Sequence, residues 1–142
     1  MTTYFETSAI VKLVMIEEGS DRADVLWDSS DLVVTSRLSY AEARAALAAA
    51  RRSGRLASRG LEQAKDALEA RFEELDQVEV TANIVRSAGG LAEQHGLRGY
   101  DVVHLASALA LETSELILVT WDSDLAKAGR RVGFDLAGTG VS

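Results

Sequence analysis

"TTYFETSAIVKL", residues 2–13, sets a short strand and a helix on either side of one carboxylate. Tyr4 and Phe5 are aromatic strand formers, while Ala9 to Leu13 fit a helical stripe. Glu6 stands at the join. A buried strand that ends on an acid needs a physical reason, and the pattern returns near the other terminus. There "ELILVTW" (115–121), the most apolar strand of the chain, runs into Asp122 and a short helix.

Between these two points the chain alternates β-rich runs with longer helical ones. The patterning predicts strands at about 3–6, 31–35 ("DLVVT"), 77–81 ("QVEVT"), 115–121 and 133–136 ("GFDL"). Helices are expected near 8–16, 20–29, 37–53, 57–75, 82–96, 100–112 and 123–130, with Gly54 and Gly96 as stops. The segments at 37–53 and 57–75 form a helical hairpin. Strands separated by helices require crossover connections, and hence a largely parallel sheet with helices on both faces. The expectation is one α/β domain over 1–142.

Composition bounds the function classes. At 142 residues the chain can bury a substantial core. Hydrophobic residues make up 47% and charged ones 26%, which excludes a disordered or fibrous chain. No apolar run reaches the ~18 residues of a membrane span, and no basic-then-apolar leader opens the chain. Cysteine is absent, so disulfides and thiolate metal sites are excluded. A cytoplasmic location without membrane contact is the expectation. The net charge of −7 argues against nucleic-acid binding by bulk charge, which leaves only a local site. Basic residues are mostly Arg, a bias that suits bidentate phosphate contact but equally fits a GC-rich coding bias.

In open parallel sheets ligands bind beyond the carboxyl ends of the strands. Glu6 and Asp122 lie at two such ends, and Glu42 ("SRLSYAEARAAL") and Asp101 ("LRGYDVVHLASALA") lie near helix starts. Each has a structural explanation. Ser39 and Glu42 have capping-box spacing, Asp101 suits a helix macrodipole, and Asp122 fits an N-cap. Helical geometry opposes that account for two of them. At ~100° per residue Glu42 shares a face with Leu38, Ala45, Ala46 and Ala49, and Asp101 shares one with Leu105 and Ala108. Those faces should turn inward, where an unpaired carboxylate costs several kcal/mol or takes up a proton.

A divalent cation resolves the conflict. Oxygen ligands without Cys or paired His suit Mg²⁺ or Mn²⁺, which point to phosphoryl or phosphodiester chemistry. His95 and His104 are nine residues apart and form no ligand pair; His104, three residues after Asp101, reads either as a support behind the acids or, by preference, as a satisfied histidine at the core edge. Arg37, Arg44, Arg51 and Arg55 form a separate stripe, over 90° from Glu42. That stripe is either a track for an RNA backbone or a solvated helix face.

Taken together, "YFETSAIVKL", "SYAEARAAL", "GYDVVHLASAL" and "LVTWDSDLAKAG" resemble, in order and spacing, the PIN-domain ribonucleases, most closely the VapC-type toxins of toxin–antitoxin pairs. The resemblance spans essentially the whole chain. It implies a PIN-like three-layer sandwich and a metal-binding catalytic pocket of Glu6, Glu42, Asp101 and Asp122. It also implies Asp124 as a further acid, with Ser8 and Thr120 as hydroxyl neighbours. By the same resemblance the substrate is structured RNA (tRNA or rRNA), the cofactor is Mg²⁺ or Mn²⁺, and the assembly is a homodimer. A cognate VapB-like antitoxin would cover the pocket.

One position departs from the family pattern: its first acid is Asp, and here it is Glu6. The extra methylene moves the carboxylate by about 1.5 Å, against the near-ideal octahedral coordination that Mg²⁺ demands. Reduced activity on an intact fold is the expectation. The alternative is a catalytically impaired module that dimerises and binds an antitoxin. Other α/β classes fail on residue placement. A receiver domain needs an acid pair after its first strand and a Lys after its fifth. A haloacid-dehalogenase-type phosphatase needs D-x-D after the first strand, whereas Asp122-Ser123-Asp124 follows the fourth. No G-x-G-x-x-G follows a strand, which removes dinucleotide binding.

Overall fold

The computed structural model describes residues 1–138. Among these, five strands, β1 (Thr2–Phe5), β2 (Leu32–Ser36), β3 (Asp76–Val78), β4 (Leu116–Thr120) and β5 (Asp135–Gly138), form one sheet in the order β3-β2-β1-β4-β5. Every pairing is parallel, so the expected "largely parallel" sheet is wholly so. Helices connect the strands: α1 (Thr7–Val14), α2 (Ser20–Asp28), α3 (Leu38–Arg52), α4 (Ser58–Glu74), α5 (Ala82–His95), α6 (Gly99–Leu109) and α7 (Ser123–Arg131).

The pleat divides the core into two layers. Phe5, Val33 and Val119 point to one face, where they meet Ile10, Leu47 and Leu68 of α1, α3 and α4. Tyr4, Val34 and Leu118 point to the other, against Leu105 of α6 and Leu125 and Ala128 of α7. These strands are covered on both sides, which is why β4 (LILVT) reads as a nearly continuous apolar run, while the buried Thr3 and Thr35 of β1 and β2 hydrogen-bond the Ser30 and Ser39 hydroxyls. Gly129 lets α7 lie close on the sheet; a Cβ there would stand 2.7 Å from the Leu118 side chain. Gly96 ends α5 in the left-handed conformation (φ 64), as a helix-stopping glycine should.

Strand order fixes where a site can form. From β1 the chain proceeds through β2 to β3 on one side, then crosses to β4 and β5 on the other. The order reverses between β1 and β4, and that switch point opens a crevice at their carboxyl ends. Glu6 follows β1 and Asp122 follows β4.

Two expectations change. The third strand is shorter than 77–81 and ends at Val78, because it is an edge strand paired only with β2. On α3 the face turned to the core is Ser39–Ala43–Leu47–Ala50, not the Ala45–Ala46–Ala49 face shared by Glu42. Ala45 is exposed and Glu42 half-buried, so Glu42 sits at the border of the packed face.

Candidate active site

Each acid of the set is held by local chemistry. Glu6 is the N-cap of α1: its backbone is extended (φ −73, ψ 162) and its carboxylate accepts the Ser8 N–H. The same carboxylate accepts hydrogen bonds from the Ser8 hydroxyl and from the Thr120 hydroxyl, the latter at 2.8 Å. The Trp121 N–H donates to the Ser8 oxygen and the Asp122 N–H to the Thr120 oxygen, at 2.8 and 3.0 Å. The start of α1 and the end of β4 are thereby stitched together. Ser8 and Thr120, the two hydroxyls named from the sequence, both bond the Glu6 carboxylate.

Glu42 is not part of a capping box. The helix begins at Leu38, and the Ser39 hydroxyl bonds Thr35 at 2.6 Å. The Oε1 atom of Glu42 accepts from the Thr7 hydroxyl at 2.7 Å and from His104 Nε2 at 2.6 Å. His104 is itself buried, and its Nδ1 lies 2.8 Å from the Tyr4 hydroxyl. Desolvation pushes the Glu42 carboxyl upward. The hydrogen bonds from His104 and Thr7 outweigh it and hold Glu42 below the usual carboxylate range. Burial pushes the Tyr4 hydroxyl far above the usual phenol range, so it remains a proton donor. A chain Tyr4–His104–Glu42 follows, with Nδ1 accepting and Nε2–H donating.

Asp101 and Asp122 form the opposite wall. Asp101 is 5% exposed. Burial first, then the Asp122 and Glu6 charges, raise its pKa against the opposing effect of Arg98. Asp122 is the N-cap of α7: its Oδ1 accepts the Asp124 and Leu125 N–H groups at 2.9 and 3.0 Å. Cap and site residue are therefore the same side chain. Arg98 spans the pair, with Nε 3.2 Å from Asp101 Oδ2 and a terminal nitrogen 3.7 Å from Asp122 Oδ2.

These segments enclose one cavity of about 380 Å³, lined by Glu6, Glu42, Asp101 and Asp122 with Thr7, Ser8, Lys12, Arg55 and Tyr100. A larger groove of about 570 Å³ runs between α5 and α6. It carries one carboxylate, Glu112, and none of the four acids, so the smaller cavity holds the chemistry. Asp124 is exposed and is not among the cavity's lining residues. The arginine stripe divides. Arg55 reaches the cavity wall, whereas Arg37 is paired with Glu79, Arg44 lies over Tyr40 and Arg51 bonds Ser58.

The donor set suits a hard dication in type: four carboxylates from four segments line one cavity. Among the described residues, however, no three of the acidic or imidazole side chains close on a common point. The geometry explains this. The Glu6 oxygens face Ser8 and Thr120, Glu42 Oε1 faces Thr7 and His104, and the Asp101–Asp122 pair faces Arg98. Sequence reasoning missed Arg98, Thr7, Lys12 and Tyr4. Only Arg98 carried a local signal, its three-residue spacing from Asp101 at a helix start.

The fold and cavity define a parallel α/β sandwich with acidic side chains at its switch point, a class that sequence relatives narrow. The PIN domain pattern matches residues 3–131. Ribonuclease VapC45 of Mycobacterium tuberculosis is 44% identical over 134 residues, covering 94% of this chain and 93% of that protein. Among solved structures, M. tuberculosis VapC20, a sarcin–ricin loop cleaving toxin, aligns with TM-score 0.69 at 20% identity. It covers 89% of this chain and 95% of its own. The VapBC2 complex of Rickettsia felis, bound to a fragment of promoter DNA, aligns with TM-score 0.64 at 18% identity over 97% and 98% of the chains. The chain belongs to the PIN-domain family, and within it to the VapC type.

Proposed function

We propose that this protein is the ribonuclease toxin of a toxin–antitoxin pair, a metal-dependent endonuclease that hydrolyses a phosphodiester of structured RNA such as tRNA or rRNA. The observation that carries this reading is the meeting of Glu6, Glu42, Asp101 and Asp122 in one cavity at the β1/β4 switch point. These four carboxylates would hold Mg²⁺ or Mn²⁺. When bound, such an ion supplies Lewis-acid polarisation of the phosphate and lowers the pKa of a water. The chain's own groups do the rest. Thr7 and His104 aim Glu42, Ser8 and Thr120 aim Glu6, and Arg55 faces the cavity as a cation for the RNA backbone, while Lys12 is paired with Glu17. The relatives named as VapC ribonucleases support an RNA substrate, and the VapBC complex supports an antitoxin partner; a VapB-like antitoxin covering the cavity belongs to the same reading. A homodimer in the cytoplasm belongs to the same reading.

The test is digestion of total RNA with and without Mg²⁺, with the cut ends mapped. Glu42→Gln and Asp101→Asn proteins that fold normally should lose cleavage; retention of it by both would refute the reading. A second reading, an impaired module, has one observation in its favour: the Glu6 oxygens are turned toward Ser8 and Thr120. On the enzymatic reading Glu6→Asp raises the cleavage rate at fixed Mg²⁺. A revertant as silent as the parent would favour the module.

A further inference from the structure

Among the described residues Arg98 is the one guanidinium paired with the acid cluster, and it meets the two acids most in need of a cation. Asp101 is almost fully buried and stands beside the charge of Asp122. Two like charges in such surroundings repel strongly unless a positive group lies between them. Arg98 provides it, 3.2 Å from Asp101 Oδ2 and 3.7 Å from Asp122 Oδ2. These oxygens are also ones a dication in this cavity would take. The side chain of Arg98 is 63% exposed, the residue precedes the first residue of α6, and its guanidinium lies 4.7 Å from the Tyr100 ring centroid at the cavity wall.

We propose that Arg98 is the intramolecular counterion of the Asp101–Asp122 pair, and that a divalent cation enters the cavity by displacing it. The proposal rests on the metal reading of the site. The guanidinium keeps the acid pair in place and sets how tightly the ion is held, because ion and arginine compete for the same oxygens. An exposed side chain resting on an aromatic ring can leave that contact without moving a helix. Cation entry therefore requires no rearrangement of the backbone.

The experiment measures Mn²⁺ binding by the free protein, using paramagnetic resonance of unbound Mn²⁺. The parent, Arg98→Gln, Arg98→Lys and Asp101→Asn are compared at one ionic strength, and circular dichroism verifies folding. Arg98→Gln should bind Mn²⁺ about three- to tenfold more tightly, the scale of a partly exposed charge pair. Arg98→Lys, which keeps the charge, should stay near the parent. Loss of binding in Asp101→Asn together with unchanged or weaker binding in Arg98→Gln would overturn the proposal while leaving the metal reading intact. Absence of Mn²⁺ binding in both the parent and Arg98→Gln would remove the metal reading, and this proposal with it.

Discussion

Replacing Tyr4 by phenylalanine tests whether the Tyr4–His104–Glu42 chain is one energetic unit. The substitution removes a single hydroxyl from a side chain that is fully buried and keeps the ring, whose edge faces His104 at a centroid distance of 5.9 Å. The hydroxyl bonds His104 Nδ1 at 2.8 Å, and among the described residues no buried side-chain nitrogen or oxygen lacks a partner. Tyr4→Phe would therefore leave Nδ1 as an orphan. A lost neutral hydrogen bond is worth about 1 kcal/mol, and stranding its buried partner brings the total to about 1–3 kcal/mol. Urea unfolding at pH 7 should show a lower midpoint at unchanged slope. The loss should not add to that of Glu42→Gln, because His104 joins the two sites; a coupling above about 0.5 kcal/mol is expected. A loss below about 0.5 kcal/mol, or additivity within about 0.3 kcal/mol, would refute the chain as drawn.

Other perturbations probe the helix packing, the acids and the cavity cations. Gly129→Ala places a methyl 2.7 Å from the Leu118 side chain and should cost about 1–3 kcal/mol by forcing α7 off the sheet, read as a lower urea midpoint. The two pKa shifts act with opposite sign on stability. Glu42 is depressed when folded, so its contribution is present above the ordinary glutamate pKa of 4.5 and is lost as pH falls through the folded value; Glu42→Gln should flatten that acid limb. Asp101 is raised when folded, so its contribution is lost as pH rises above the usual aspartate range. Asp101→Asn should therefore unfold at higher urea than the parent at pH 7 without divalent ions, and an equal or lower midpoint would contradict the burial argument. Arg55 faces the cavity while Arg37 is neutralised by Glu79, so Arg55→Gln should lower the salt slope of RNA binding by about one and Arg37→Gln should leave it nearly unchanged.

What the sequence disclosed follows the strength of each physical signal. β4 was legible as a nearly unbroken apolar run, β1 and β2 by their aromatic and β-branched residues, and Gly96 because few residues accept its backbone conformation. The acids were legible as conflicts: a carboxylate that ends a buried strand, or lies on a helix stripe that should be covered, is expensive. The facing of α3 was not legible. Alanines at 41, 43, 45, 46, 48, 49 and 50 give that helix almost no directional hydrophobic pattern. The face that packs is selected by Leu47 and by where the chain leaves β2. Nor could spacing reveal how the acids are held. Thr7 to Glu42 spans 35 residues and Tyr4 to His104 spans 100, and both contacts exist only because the sheet sets β1 beside β2 and β4 and lays α6 over it.

The same limit explains why a neutralising cation was inferred and its resident partner was not. The arginines of the α3 stripe stand at the wrong angle to reach Glu42, yet the arginine that matters lies on another element, three residues before Asp101. Charge balance in a cavity is a property of every segment that lines it, so a single helix can reveal the need for positive charge but not its source. Glu6 illustrates the converse. Its departure from the family's Asp was visible at once, but only the packed structure shows what the longer arm does. It bridges the first turn of α1 to Thr120 at the end of β4, a contact between residues 114 apart. A shorter Asp is at least as good an N-cap, so the cap alone does not require Glu. In this chain the carboxylate also accepts from Thr120 of β4, and whether that bridge or the cation sets its position is the difference the Glu6→Asp rate measures.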